Sequence, residues 1–434
     1  MTSPACRKSP EFHAVNVSVD GDASNLKERL VFFAGKGYDW EDEQKKKSFK
    51  LTKVVKFFGP TMWMFDPDGV TWESVAMPPV ESSPRPKARW KAAAAVFNGG
   101  RELVLFGGSE SQSPSSVLND LWVFSPSCCP AGGKWRQVQT LDTPAPRRSH
   151  TVVANSTHLF VYGGTGGAHH GNVYTDLWSL PLSALGASAD GSVGRWVQRA
   201  NYPAGQRWGS TGTHLVAQDG REFMAIFGGR MLVGSDSKAL HSHTYFNDLW
   251  LYDFARDSWS AAAASGTKPE PRDHHAATGL GDVLYVFGGR VSEANDASAV
   301  RSDLWSFSLR TGSWTKLSPG RGAAPQARYM PGLEAARRGG RDVIVVAAGQ
   351  GMPGSTSHTS LNDVWAYSLS GDPGWTELTP TECKYRKTMA MNWDEVFPLI
   401  GAAIVAVVLV VMCVSFVQRN ASARQPAAAY KLLE

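Results

Sequence analysis

Six tryptophans, Trp72, Trp135, Trp196, Trp259, Trp314 and Trp375, recur 63, 61, 63, 55 and 61 residues apart in a chain of 434 residues. A fixed period of this length marks a repeated supersecondary unit that cannot bury its own faces, so neighbouring copies must pack on one another. Two more signatures keep the register. Four copies end an apolar run in paired glycines: LVLFGG (103–108), LFVYGG (159–164), MAIFGG (224–229) and LYVFGG (284–289). LVFFAG (30–35) and VIVVAAG (343–349) are weaker copies. In most copies NDLW (119–122), TDLW (175–178), NDLW (247–250), SDLW (302–305) or NDVW (362–365) follows 12 to 19 residues later, with TMWMF (61–65) the poorest. Twelve of the sixteen Trp fall in this pattern, so the repeat explains their number.

Each copy reads as four short strands. The first (RWKAAAAVF, RSHTVVA, GSTGTHLVA, HHAATGL) is rich in small residues, as strands converging on an axis require. The second is a near-continuous apolar run, the mark of a strand buried on both faces. The third starts at the DLW element, and the fourth alternates a Trp with polar residues, as a half-exposed outer strand should. Large aromatics far from the axis fill the widening gaps between units.

Paired glycines, spaced aromatics and the DLW element together resemble kelch repeats, which form β-propellers. The resemblance covers 10–380 and implies an all-β fold, a six-bladed kelch β-propeller. Blade 1 departs from the pattern with Ala34-Gly35, Met62 and a charged insertion over 41–53; blade 6 departs with Ala348-Gly349. The remaining divisions are an N-terminal tail (1–9), a juxtamembrane linker (381–395), one C-terminal transmembrane α-helix (396–417) and a short tail (418–434).

Five copies open the first strand with Arg89, Arg147, Arg207, Arg272 and Arg328. The same five carry Asp120, Asp176, Asp248, Asp303 and Asp363 before Leu/Val-Trp. Blade 1 has Pro10 and Met62 at these places and lacks both. Joint loss predicts that each Arg pairs with an Asp as a structural staple, because a buried charge needs a partner. His13, His150 and His275 share one repeat position and read as structural.

Residues 396–417 hold 22 residues without a charge. As a helix they extend about 33 Å, enough for a hydrocarbon core of about 30 Å. Lys384, Arg386 and Lys387 on one side balance Arg419, Arg424 and Lys431 on the other, so flanking charge does not orient the helix. The sequons at Asn16 and Asn155, and a Tyr-x-x-apolar sorting signal from Tyr430 to Leu433 for adaptor proteins, favour a lumenal or extracellular propeller over a cytosolic one. Cys6 and Cys383 flank the ring and are placed for a disulfide.

Loops 109–119, 165–175, 230–247, 290–302 and 351–362 emerge with the Pro-rich blade linkers on one face, the expected binding face. They hold His169, His170, His241, His243 and His358, weak metal candidates without a supporting Cys or carboxylate at metal spacing. Neither a phosphate-binding loop nor a nucleophile elbow is present. A net charge of +5, with 19% charged and 42% apolar residues, fits neither a disordered chain nor a nucleic-acid binder. The expectation is a non-catalytic module, without cofactor, that binds a protein or glycan on the loop face. The alternative is an enzyme acting on a sugar or small molecule in the central channel.

Overall fold

The computed structural model describes residues 11–18, 26–33, 36–38, 55–57, 63–74, 84–111, 113–127, 132–167, 172–186, 193–233, 242–294, 297–352 and 359–379. Six four-stranded antiparallel sheets follow one another along the chain. Their innermost strands are Glu11–Ser18, Ala93–Phe97, Thr151–Ala154, Thr211–Val216, Ala276–Leu280 and Gly332–Arg338. Each lies against the innermost strand of the next sheet, and the sixth against the first, which makes the sheets blades of a closed ring. In blade 1 a two-stranded extension, Lys36–Tyr38 with Val55–Phe57, brackets the charged insertion.

Among the described residues every blade takes its four strands from consecutive sequence, and no shared strand joins the last blade to the first. Side chains close the ring instead. Leu30 and Phe65 of blade 1 share one apolar cluster with Ala336, Val343, Val345 and Val364 of blade 6. Arg338 Nε donates to the Pro67 carbonyl (3.0 Å), and Gly339 N to Asp68 Oδ1 (2.8 Å).

The outer-strand tryptophans join blades. Trp314 packs on Phe307 of its own third strand (5.2 Å between centroids) and on Phe227 of the preceding blade (5.0 Å). Trp259 does the same with Tyr252 and Tyr162, and Trp375 with Tyr367 and Phe287. The aromatic before each glycine pair is therefore the socket for the next blade's Trp. Such contacts add to simple area burial through ring geometry.

The paired glycines have a backbone reason. Gly107 and Gly108 lie at φ +60 and +95, where a side chain is strained. A Cβ on Gly107 would come within 2.7 Å of the Arg147 carbonyl, and one on Gly108 within 2.9 Å of the Ala92 nitrogen. The Gly108 amide donates to the same Arg147 carbonyl (2.9 Å), linking blade 2 to blade 3. Blade 6 puts Ala348 in this turn at φ +55.

Candidate functional site

The five Arg–Asp pairs meet within their own blades. Arg89 Nη1 and Nη2 donate to the two carboxylate oxygens of Asp120 (2.6 and 2.8 Å), and Nη1 also to the carbonyl of Gly107 (2.9 Å). Arg147–Asp176, Arg207–Asp248, Arg272–Asp303 and Arg328–Asp363 repeat this two-pronged geometry. All five Arg are buried. Each staple ties the start of the first strand, the glycine turn ending the second and the start of the third.

Sequence reasoning treated the DLW tryptophans as filler, and the structure gives them a second task. Trp122, Trp178, Trp250, Trp305 and Trp365 each donate the indole N–H to the Asp two residues earlier, at 2.6 to 2.9 Å. Residues two apart on a strand share a face, which is why the motif reads Asp-x-Trp. Burial alone would raise the pKa of Asp176 and Asp303. Hydrogen bonds from Arg147 and Arg272 outweigh it and hold both carboxyls below their usual range.

This frame positions a ring of residues at the channel mouth, on the face of the linkers and second-to-third loops. The residue after each staple Arg bridges to the residue after the turn that ends the second strand, Gly-Gly in four blades and Ala348-Gly349 in blade 6: Trp90 to Ser109, Arg148 to Thr165, Trp208 to Arg230, Asp273 to Arg290 and Tyr329 to Gln350. One position further, Lys91, Ser149, Gly209, His274 and Met330 all turn at positive φ. Backbone bonds run between blades here, from Ser149 N to Lys91 O, His274 N to Gly209 O and Met330 N to His274 O. Beneath them lies a cavity of about 240 Å³, lined by Ala92, His150, Thr151, Thr211, His275 and Glu334 among others.

Blades 4 and 5 carry an ionic network at the mouth. Fully buried Asp273 meets Arg230 Nε (2.9 Å), Arg290 Nε (3.4 Å) and His274 Nδ1 (2.6 Å). Burial opposes its charge, but His274, Arg290 and Arg230 keep the carboxyl well below the usual range. Glu293, from the following loop, accepts from Tyr245 Oη (2.6 Å) and pairs with Arg230 and Arg290. His243, the one described member of the loop histidines, lies 3.2 Å from Glu293 and edge-on to Trp208. Burial and the Arg230 charge lower its pKa.

Among the described residues no group of three or more His, Cys, Asp or Glu could hold a metal ion. His169, His170, His241, His358, Cys6, Cys383, Tyr430, Leu433 and residues 396–417 lie outside the described residues. Among the described residues no helix is long and apolar enough to cross a membrane. Asn16 falls in the strand Glu11–Ser18. Asn155 sits in a hairpin turn, its Oδ1 accepting from the amides of Thr157 (2.9 Å) and His158 (2.7 Å). His150 and His275 are wedges between blades: each packs on the aromatic before the preceding blade's glycines, Phe106 and Phe227. Burial lowers both to a pKa of about 3.

Six radial four-stranded sheets, a stapled frame and a varied ring at one mouth define a propeller of the kelch type. The chain belongs to the kelch-repeat family: the family model described as the KLHDC2/KLHL20/DRC7 Kelch-repeats domain matches 23–230 and again 194–392. It is similar to Tip elongation aberrant protein 1 of Schizosaccharomyces pombe, 30% identical over 48% of this chain and 16% of that protein. It is also similar to Host cell factor of Drosophila melanogaster (29%, over 48% of this chain and 14% of that protein). Kelch domain-containing protein 3 of Homo sapiens is 25% identical over 58% of this chain and 62% of its own length. The chain spans less than two thirds of each of these relatives.

Proposed function

We propose that this chain is a protein-binding module whose partner docks on the loop face around the channel mouth. One observation carries the reading. The staple residues are the same in five blades, whereas no two of the bridged pairs beside them are alike: Trp90–Ser109, Arg148–Thr165, Trp208–Arg230, Asp273–Arg290 and Tyr329–Gln350. A constant frame that presents different chemistry at each step is how a rigid scaffold displays a recognition surface. Thr244→Lys and Ser113→Lys would alter the loop face, and Asp219→Lys and Arg310→Glu the opposite face. Crosslinking of a partner should be lost in the first pair and kept in the second; loss in both pairs or in neither refutes the assignment.

The cavity under the mouth, lined by the buried His150 and His275 and by Glu334, supports a second reading, a small molecule or sugar held or turned over in the channel. A glycan in place of a protein on the loop face would show as crosslinking abolished by glycosidase treatment of the partner. For the uncharged stretch 396–417 we propose a membrane tether, with the propeller on the lumenal or extracellular side. A glycosidase-sensitive mass shift that Asn155→Gln removes would support that side; protease protection matching a cytosolic propeller would refute it.

A further inference from the structure

Four of the five bridged pairs at the mouth pair within the protein every charge they carry. Ser109 Oγ donates to the Ser111 carbonyl, Arg230 and Arg290 share Asp273 and Glu293, and Tyr329 hydrogen-bonds Gln350. The blade 3 pair does not. Arg148 is 7% exposed and Thr165 0%, and among the described residues neither Arg148 Nε nor Thr165 Oγ1 has a hydrogen-bond partner. Their backbones are paired in both directions (2.9 and 2.8 Å), so the two side chains stand on the same side of the ladder.

Folding does not account for this pair. An arginine whose Nε is buried without an acceptor, and whose charge meets no counter-charge among the described residues, is a liability, and burial lowers its pKa. The adjacent Arg147 offers no acceptor, and the acceptors around it, Asp176 and the carbonyls of Gly163 and Ala145, take its own N–H groups. The mouth carboxylates Asp273 and Glu293 are engaged by Arg230 and Arg290. We infer that Arg148 and Thr165 form an open anion subsite that receives an acidic side chain of the protein partner. A guanidinium matches a carboxylate with two parallel hydrogen bonds, and the threonine hydroxyl adds a third donor. Because the pair is so fully covered, a carboxylate on a side-chain stem reaches it while the partner's backbone stays on the face.

This assignment rests on the loop-face reading of function but is tested apart from it. Three small probes are added to the full-length chain, and its melting temperature is followed. N-acetylglutamate N-methylamide carries only a side-chain carboxylate, N-acetylalanine only a terminal one, and N-acetylglutamine N-methylamide none. The first alone should raise the melting temperature, because a ligand of the folded state stabilises it by mass action. Arg148→Met should abolish the rise and Thr165→Val should weaken the binding by about tenfold, the loss of one hydrogen bond. Without probe, Arg148→Met should melt no lower than wild type, which a structural arginine would not allow. Equal responses to the three probes, a preference for N-acetylalanine, or a rise that survives in Arg148→Met would overturn the inference. Should Arg148→Met not fold, Thr165→Val decides the question. A probe response without loop-face crosslinking refutes the functional reading and leaves the subsite standing; crosslinking without a probe response does the reverse.

Discussion

Replacing Asp363 by Asn removes one charge from the most enclosed staple and changes little else in shape. Asp363 is 2% exposed and accepts from Arg328 Nη1 and Nη2 (2.6 Å each) and from Trp365 Nε1 (2.8 Å). The amide keeps one acceptor oxygen, sets an NH2 group against a guanidinium or indole N–H, and leaves Arg328 buried without its counter-charge. Breaking a buried pair from one side costs about 3–5 kcal/mol. At roughly 2 °C per kcal/mol for a large domain, the melting temperature should fall by about 6–10 °C. Asp248 makes the same contacts at 36% exposure, so water already reaches the carboxylate side of that pair and Asp248→Asn should cost the least of the five, although Arg207 is as buried as Arg328. The other three staples lie between these in exposure and should lie between them in cost. Thermal and urea unfolding of the five single variants tests the order. In addition, Arg328→Met with Asp363→Leu should recover most of the loss, because an apolar pair replaces a buried ion pair at little net cost. Five equal losses, or Asp248→Asn as the worst, would refute the view that the staples act through buried charge.

Ala348→Gly should stabilise the protein by about 0.5–1 kcal/mol in urea unfolding, since relief at φ +55 exceeds the added freedom of the unfolded chain. Trp314→Ala should cost about 3–5 kcal/mol, as it empties the socket between Phe227 and Phe307; Trp314→Phe should cost less. Acid should destabilise the ring from near neutrality. His150 and His275 have folded pKa values of about 3, below the ordinary 6.5, so the unfolded chain binds more protons between those limits. Stability is then complete above pH 6.5 and lost as pH falls toward 3, at about 1.4 kcal/mol per pH unit for each histidine. His275→Gln should reduce the slope of unfolding free energy against pH by one proton's worth; an unchanged slope would contradict the assignment.

Where the sequence is legible, the reason is repetition. The ring needs the same turn, staple and socket in each blade, so Gly107, Arg89, Asp120 and Trp135 recur as sets that stand out against a background that changes. The pairing of Arg with Asp could be read from their joint absence in blade 1. The indole bond to the same Asp could not, because a tryptophan at that place is equally explained by packing. The spacing of two in Asp-x-Trp was the available sign, since it puts both groups on one face of a strand.

The mouth was illegible for the opposite reason. Trp90, Arg148, Trp208, Asp273 and Tyr329 share one position but mix aromatic, basic and acidic side chains, so no single residue pattern groups them. Only the frame shows that they are equivalent: each follows a staple Arg by one residue, as Ser109, Thr165, Arg230 and Arg290 each follow a glycine pair and Gln350 follows Ala348-Gly349. In a repeat that must close, the positions free to differ beside those that cannot are the ones left for recognition. Arg148 is the sharpest case. The staple at Arg147 and Asp176 already ties that turn, and the next residue still carries a charge for which the described residues supply no partner.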